Sequence, residues 1–183
     1  MIILLDVDGV AANFVDPMLK ACAPSKTAAD VTSWDLTQCL TETEYGRARG
    51  LMCSAGFWRE LPVIHGARES VAQMLESGAE VVFVTSPYWS CDTWLHERKR
   101  WLERKLGVSR PKVIAAHDKH LVRGDVFIDD KADNVLSWSR AWYPHGRGFV
   151  FDQPWNQSAN RFGLRLMSWG PEAVEFILSR GLV

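Results

Sequence analysis

The sequence predicts an α/β fold, a three-layer, Rossmann-like parallel sheet with a small helical cap inserted after the first strand. Two observations predict it. Short apolar runs alternate with stretches of helical periodicity along most of the chain, which is typical of repeated βαβ units. One stretch of about fifty residues, from Asn13 to Pro62, interrupts the alternation and is far longer than a simple crossover connection needs.

The core elements follow from the apolar runs in chain order. Strands are predicted at residues 2–7, 80–85, 112–116, 125–128 and 148–151. Helices are predicted from residue 67 to Gly78, at 92–107, at 132–139 and from residue 171, where proline occupies the first turn. We therefore assign residues 1–13 and 63–183 to the α/β core and residues 14–62 to the cap.

Length and composition are those of one globular domain with at most a small insertion. The 183 residues are 47% hydrophobic and 23% charged, which is ordinary for globular proteins. The 21 basic and 22 acidic residues give a net charge of −1, which argues against nonspecific binding to nucleic acid or to an anionic membrane. The four cysteines form no C-x-x-C pair, and no apolar run approaches the length of a membrane span. We expect a reduced, cytoplasmic protein with no membrane association and no stable nucleic-acid complex, and homodimer formation is left open.

Two aspartates follow the first strand in the sequence Asp6-Val7-Asp8-Gly9, at the edge of the sheet where ligands bind in open α/β folds. Alternation along a strand places Asp6 and Asp8 on one side, and Gly9 permits a tight exit turn. Two unpaired carboxylates this close repel each other, and a divalent cation or a shared proton relieves the repulsion. A hairpin turn is disfavoured because no strand follows at once, and the residues do not match a calcium-binding EF-hand loop.

Three further polar motifs follow the ends of later strands. Thr85 and Ser86 come at the end of the second strand, Lys119 follows the third, and Asp129 and Asp130 follow the fourth. Taken singly, each has an ordinary structural explanation as a strand end, a solvated lysine or a helix cap. Their occurrence in this order at successive strand ends favours one shared site.

These motifs together resemble those of the haloacid dehalogenase (HAD) superfamily of phosphotransferases, over roughly residues 2–134. The strings D-V-D-G-V-A-A-N-F, V-T-S-P and D-K-H-L-V-R-G-D-V-F-I-D-D-K are more narrowly similar to the 5′(3′)-deoxyribonucleotidases. The resemblance implies a HAD-like core, a hydrophobic pocket for the base, and a preference for 2′-deoxy substrates, because an apolar lining leaves a 2′-hydroxyl without a partner.

The motif residues also supply the groups that phosphate-ester hydrolysis requires. We predict that Asp6 attacks phosphorus to form an aspartyl-phosphate. Asp8 would protonate the leaving alkoxide and later deprotonate the hydrolytic water. Thr85 and Ser86 would donate hydrogen bonds to phosphoryl oxygens, and Lys119 would neutralise the nucleophile and the transferring group.

The same carboxylates predict Mg²⁺ as the cofactor, since this ion prefers a few carboxylates together with phosphate and water. The expected ligands are Asp6, the backbone carbonyl of Asp8, and one carboxylate of the pair Asp129 and Asp130. We favour Asp130 as the direct ligand and Asp129 as its orienting neighbour.

Aromatic residues in and near the cap are candidates for stacking on a nucleobase, namely Phe14, Trp34, Tyr45, Phe57 and Trp58. Each of them also fits the packing core of the cap. With these alternatives open, the predicted substrate-binding residues are Gly9, Phe14, Trp34, Trp58, Ser86 and Arg98.

The helix predicted at 92–107 carries the cations Arg98, Lys99, Arg100 and Arg104. Its tryptophans fall on the apolar face and acidic residues lie among the cations, so a solvated helix packed on the sheet is favoured over a nucleic-acid surface. Arg98 is also a candidate for reaching the substrate phosphate from this helix.

The function that the sequence favours is a Mg²⁺-dependent phosphatase of nucleoside 5′-monophosphates, with deoxyribonucleotides preferred. One alternative keeps the reaction and changes the substrate to another small phosphate ester or to the 3′-phosphate of a nucleic-acid end. An alternative of another class is a non-catalytic module that binds a ligand or a partner.

Overall fold

Six parallel strands form one sheet in the order β3-β2-β1-β4-β5-β6 in a computed structural model that describes residues 1–159 and 164–180. The strands are β1 (Ile2–Leu5), β2 (Glu80–Thr85), β3 (Lys112–Ala115), β4 (Val126–Asp129), β5 (Arg147–Phe151) and β6 (Leu164–Leu166). The strand order reverses between β1 and β4, and their carboxyl ends form the crevice where open α/β sheets bind ligands.

Seven α-helices accompany the sheet in the described part of the chain. They are α1 (Val15–Cys22), α2 (Glu42–Met52), α3 (Phe57–Glu60), α4 (Ala67–Glu76), α5 (Trp94–Arg104), α6 (Ala132–Ala141) and α7 (Pro171–Arg180). The remaining helical turns are short 3₁₀ segments, including Lys119–Leu121 and Pro154–Ala159.

The sheet is covered by helices on both faces because apolar side chains point to both sides of its strands. Ile3 and Leu5 of β1 face the apolar sides of α4, α5 and α7 in one buried cluster. Leu4 faces the opposite side, where Phe127 packs with Trp138 of α6. The predicted α/β class with three layers is thereby confirmed.

The segment that the sequence assigns to a cap contains α1, α2 and α3 and two 3₁₀ turns, Ala28–Asp30 and Leu36–Gln38. It has a buried apolar cluster of its own, built around Met18, Leu19 and Val31. The proposed boundaries at residues 13 and 62 stay a prediction, and residues 160–163 and 181–183 of the predicted core lie outside the described residues.

The predicted core strands are all present, with small shifts at their ends. The second strand has the predicted bounds, whereas β1 ends at Leu5 rather than at residue 7 because the chain then turns, with the Val7 carbonyl accepting hydrogen bonds from the amides of Ala11 and Ala12. The short strand β6 was not predicted. Among the described residues, none of the helices is both long and apolar enough to cross a membrane.

The buried aromatic pair between sheet and helix gives a test of this packing. Phe127 is fully buried, and its ring centroid lies 5.4 Å from that of Trp138. We expect Phe127→Ala to lower the free energy of unfolding in urea by about 3–5 kcal/mol, because it removes a large side chain and leaves a cavity. Leu121→Ala, at a largely exposed position, is the control and should change it by less than about 0.5 kcal/mol. A loss below about 1 kcal/mol in the Phe127 variant would contradict the packing described.

Candidate active site

A cavity of about 470 Å³ opens at the carboxyl ends of β1, β2 and β4. One wall is polar and comes from the strand ends, and the opposite wall is mainly aromatic. The polar wall includes Asp6, Asp8, Thr85, Lys119, Asp129 and Asp130. The fold therefore brings together the motif residues that the sequence places at separate strand ends.

The Lys119 ammonium group lies between two of the carboxylates. Its Nζ atom is 2.7 Å from Oδ1 of Asp6 and 2.7 Å from Oδ2 of Asp129. All three side chains are almost completely buried. Charge-assisted contacts of this kind are strong where water is excluded, so Lys119 fixes the two carboxylates relative to each other.

The burial of so many acids in one place shifts their proton affinities. Burial, together with the nearby Asp129 charge, raises the pKa of Asp6 to about 7 against an opposing effect of Lys119. Burial and the Asp129 charge also raise the pKa of Asp130 well above its usual range. Burial alone would lower the pKa of Lys119, but the carboxylates of Asp129 and Asp6 outweigh it and raise this pKa above its ordinary value.

The acidic groups fit a divalent cation. One carboxylate oxygen from each of Asp6, Asp129 and Asp130 lies within 4.8 Å of the others. With Asp8 the polar wall holds four carboxylates, and only Lys119 and Arg98 form salt bridges with them among the described residues. Two negative charges are thus left over, which one divalent cation would balance.

The two aspartates that follow β4 have different surroundings. Oδ2 of Asp129 accepts hydrogen bonds from Lys119 and from the side-chain amide of Asn134, and Oδ1 accepts one from the backbone amide of Lys131 at 2.7 Å. Asp130 accepts a hydrogen bond at Oδ2 from the Trp155 indole at 2.6 Å. In the described part of the chain, its Oδ1 accepts none. Asp130 therefore keeps a carboxylate oxygen available to a cation, whereas both oxygens of Asp129 are engaged.

Gly9 is required for the close approach of the first turn to the Asp130 side chain. Its φ angle is +77°, and a Cβ atom at this position would lie 2.5 Å from Oδ2 of Asp130. Its carbonyl accepts a hydrogen bond from the side-chain amide of Gln153 at 2.6 Å. This turn, rather than alternation along β1, brings Asp8 to the cavity, because the strand ends before Asp6.

The hydroxyl residues of the second motif lie at the cavity. Thr85 and Ser86 both line it. The Thr85 hydroxyl is buried and has no hydrogen-bond partner within the described residues. A buried hydroxyl without a partner is costly, so this group is available to a ligand oxygen.

Arg98 takes a position that sequence analysis did not anticipate. The sequence predicts a solvated cation at this position or, alternatively, a residue that reaches the substrate phosphate. The structure instead buries Arg98 completely and sets its Nη2 atom 2.6 Å from both carboxylate oxygens of Asp8. Arg98 is not among the residues that line the cavity, and its observed contact is with Asp8, so its contact with substrate stays a prediction.

The aromatic wall contains Phe14, Trp34, Tyr45 and Trp58 of the predicted set. Phe14 and Trp58 stack on each other with ring centroids 5.6 Å apart and planes 9° from parallel. Phe57 packs edge-on against both rings and does not line the cavity, so it belongs to the packing behind the wall.

Trp34 occupies a more open position in the same wall. Its side chain is half exposed, and the Nζ atom of Lys131 lies 3.6 Å from its ring centroid. This cation–π contact joins the segment around Trp34 to the residue after the paired aspartates.

Several residues of the cavity were missed by sequence analysis, namely Tyr88, Lys131, Asn134 and Trp155. A usable signal existed for Trp155, since it follows β5, whose carboxyl end adjoins that of β4. Asn134 lies in the first turn of α6, close to the aspartates that precede this helix. Lys131 ends the string D-K-H-L-V-R-G-D-V-F-I-D-D-K, but no role was assigned to it, and no pattern in the sequence marked Tyr88 as a site residue.

Comparison with solved structures shows which fold this is. A haloacid dehalogenase-like hydrolase from Burkholderia xenovorans matches with a TM-score of 0.62 at 13% identity, over 100% of this chain and 98% of that one. A D,D-heptose 1,7-bisphosphate phosphatase from Bordetella bronchiseptica, solved with magnesium and phosphate, matches with a TM-score of 0.57 at 12% identity, over 97% and 98%. The fold is that of the HAD-like hydrolases.

Sequence comparison gives the particular family. The model of the family described as 5′ nucleotidase, deoxy (pyrimidine), cytosolic type C protein matches residues 1–181. A relative from Bordetella bronchiseptica, which is named as a 5′(3′)-deoxyribonucleotidase, is 32% identical over 164 residues. The match covers 86% of each chain. The human cytosolic 5′(3′)-deoxyribonucleotidase is 26% identical over 196 residues, covering 97% of this chain and 94% of its own. The chain belongs to this deoxyribonucleotidase family, as its motifs predicted, and is a phosphoric monoester hydrolase.

The approach of Gly9 to Asp130 can be tested by adding one methyl group. We expect Gly9→Ala to lower phosphatase activity by about 10-fold or more, because the new Cβ atom must displace the Asp130 carboxylate. The measurement is kcat in the presence of Mg²⁺, together with the melting temperature.

Gly78→Ala is the matched control for that variant. Gly78 also has a positive φ angle, +83°, but a Cβ atom there would meet no atom within 4 Å. The Gly78→Ala variant should therefore lose about 1–2 kcal/mol in the free energy of unfolding, because of backbone strain, and keep its activity. Equal activity in the two variants would show that the contact between Gly9 and Asp130 has no role.

Proposed function

We propose that this protein is a Mg²⁺-dependent phosphatase of nucleoside 5′-monophosphates, with deoxyribonucleotides preferred, that works through an aspartyl-phosphate on Asp6. The proposal rests on the buried Lys119 ammonium at the polar end of an aromatic-walled cavity. Its Nζ atom lies 2.7 Å from a carboxylate oxygen of Asp6 and 2.7 Å from one of Asp129. The names of the relatives, which are deoxyribonucleotidases, support the substrate class.

Asp6 is the group best placed to attack phosphorus. It leaves β1 at the switch point of the sheet, and one of its oxygens is held by Lys119. A nucleophilic carboxylate must be ionised, and the ammonium group opposes the effect of burial on its charge. The buried Thr85 hydroxyl and Ser86 would donate hydrogen bonds to the transferring phosphoryl oxygens.

Asp6, Asp130 and the Asp8 carbonyl would hold Mg²⁺, with Asp129 orienting Lys119 rather than binding the ion. This assignment rests on the free oxygen of Asp130 and the three hydrogen bonds to Asp129. When bound, the ion supplies positive charge to the phosphoryl oxygens and to the nucleophile.

Asp8 would transfer the protons of the reaction. Its side chain is 28% exposed and lines the cavity, so it can reach both a leaving oxygen and an incoming water. Asp8 would enter the reaction in its protonated form and give that proton to the alkoxide as the bond to phosphorus breaks. It would then recover a proton from the water that hydrolyses the aspartyl-phosphate.

The aromatic wall favours a nucleoside as the leaving group. The cavity volume of about 470 Å³ lies within the usual range for small-molecule sites. Phe14, Trp34 and Trp58 offer ring surface to a flat base, which a simple sugar phosphate does not have. A sugar bound against these apolar rings would leave a 2′-hydroxyl without a partner, which favours deoxyribose.

Other substrates and classes have less support. A nucleic-acid end would be expected to need a basic approach surface, and the net charge of the chain is −1. A module without catalysis has no chemical use for a nucleophilic carboxylate, a buried lysine and an unpartnered hydroxyl in one cavity. Homodimer formation and a cytoplasmic location stay predictions.

A substrate panel tests the proposal. We expect deoxyribonucleoside 5′-monophosphates to show a kcat/KM at least about 10-fold above ribonucleotides and simple sugar phosphates, because only they combine a base for the aromatic wall with the absence of a 2′-hydroxyl. Phosphate release with Mg²⁺ present is the measurement.

Asp6→Asn is the control in this panel, and Glu42→Gln at an exposed position is the matched substitution. Asp6→Asn should lower kcat on the order of 10³-fold or more with no loss of melting temperature. Glu42→Gln should leave both kcat and the melting temperature unchanged. If sugar phosphates were hydrolysed as well as deoxynucleotides, the nucleotide assignment would be wrong.

The raised pKa values predict how metal binding depends on pH. The folded-state pKa of Asp6 is about 7, above its ordinary value of 3.8, so without metal the contribution of Asp6 to stability falls as pH rises from about 4 to about 7. A cation binds the ionised carboxylates and offsets this loss. We therefore expect the rise in melting temperature caused by Mg²⁺ to be larger at about pH 8 than at about pH 5.5.

Asp130→Asn is the control for the metal effect. It removes the carboxylate with the free oxygen and should abolish most of the Mg²⁺-dependent rise at both pH values. A Mg²⁺ effect that is the same at both pH values in the unaltered protein would contradict the site.

A further inference from the structure

We propose that Arg98 is a positioning residue for the proton-transfer step, holding the Asp8 carboxyl in place for the leaving oxygen. This inference rests on the proposed function and adds a residue from α5, outside the strand-end motifs. Nη2 of Arg98 contacts both oxygens of Asp8 at 2.6 Å. A group that donates a proton must be held at a fixed distance and angle from its acceptor.

The surroundings of Arg98 hold its guanidinium plane. The side chain is completely buried, and the guanidinium carbon lies 5.2 Å from the Trp58 ring centroid and 5.9 Å from that of Trp101. The Trp101 indole in turn donates a hydrogen bond to the Leu61 carbonyl at 2.7 Å. Two indoles and one carboxylate thus leave Arg98 little freedom to move.

The contact is not what a purely structural arginine would make. Nε and Nη1 of Arg98 are buried and have no hydrogen-bond partner within the described residues. Burying a guanidinium with two unsatisfied nitrogens lowers the stability of the folded protein. Its one ion-pair partner, Asp8, is partly exposed, so water can solvate the Asp8 carboxylate when Arg98 is removed. Replacing Arg98 with an apolar residue of similar length should therefore preserve folding while releasing Asp8.

Arg98 also connects Asp8 to the aromatic wall. Trp58 packs on the guanidinium and stacks on Phe14, and both rings line the cavity. A nucleobase bound against this wall would press on the same indole that supports Arg98.

The experiment compares two leaving groups. A deoxyribonucleoside leaves as a strongly basic alkoxide that needs protonation, whereas p-nitrophenol leaves as a stable anion without it. kcat/KM reports the steps up to departure of the leaving group, so it isolates the donor role of Asp8 from its later role as a base. Asp8→Asn defines the pattern expected when the donor is lost.

We expect Arg98→Met to lower kcat/KM for a deoxyribonucleoside 5′-monophosphate by about 10²-fold and for p-nitrophenyl phosphate by less than about 3-fold. Arg98→Lys, which keeps the charge but cannot lie flat between the indoles, should recover part of the loss. Arg100→Met, on the exposed face of the same helix, is the matched control and should change neither value.

Two outcomes would overturn the inference. Equal losses for both substrates would assign Arg98 to phosphate binding or to general stability, and no loss for either would leave it without a role. If Arg98→Met does not fold, Arg98→Lys is tested with the same two substrates. A loss of kcat/KM confined to the deoxynucleotide would still show that Asp8 must be positioned. Wild-type protein that fails to hydrolyse deoxynucleotides would contradict the proposed function itself, whereas a missing difference between substrates would contradict only the role of Arg98.

Discussion

The Lys119 ammonium lies 2.7 Å from the carboxylates of both Asp6 and Asp129, and the arrangement of the polar wall depends on these two contacts. Three strands contribute to them, because Asp6 follows β1, Asp129 ends β4 and Lys119 lies in the 3₁₀ turn after β3. Buried carboxylates this close would repel one another without a cation between them. Lys119 and Arg98 together do not balance the four acids of the wall, and the two negative charges that remain suit the site to a divalent ion.

The residues of this polar wall could be predicted because their chemistry is tied to the ends of strands. Parallel strands bring their carboxyl ends to one edge, so polar residues placed just after separate apolar runs must meet there. The same reasoning could not orient Asp8, which reaches the cavity through the turn at Gly9 after the strand has ended. It also passed over β6, whose three residues form too short a run to be recognised.

Arg98 shows a different limit of sequence analysis. Its charge groups it with Lys99 and Arg100, and those two are exposed as expected. Its spacing, four residues after Trp94 and three before Trp101, instead places it on the buried face of the helix. The burial of Arg98 depends on partners far along the chain, namely Asp8 and Trp58, which no helical pattern contains. The aromatic residues were similarly ambiguous, since Phe14 and Trp58 turn out both to pack on each other and to line the cavity. Packing and binding are thus not exclusive roles in this wall.

Phosphorylation of Asp6 at a metal site completed by Asp130 is the step on which the proposed function depends. A crystal structure of the protein with Mg²⁺ and fluoroberyllate, a mimic of the aspartyl-phosphate, tests it most directly. We predict density for the fluoroberyllate joined to a carboxylate oxygen of Asp6, with the ion in contact with Asp6 and Asp130 and the Lys119 ammonium beside the fluorines. Fluoroberyllate on another carboxylate, or Mg²⁺ bound away from Asp130 with Asp6 unaltered, would contradict it.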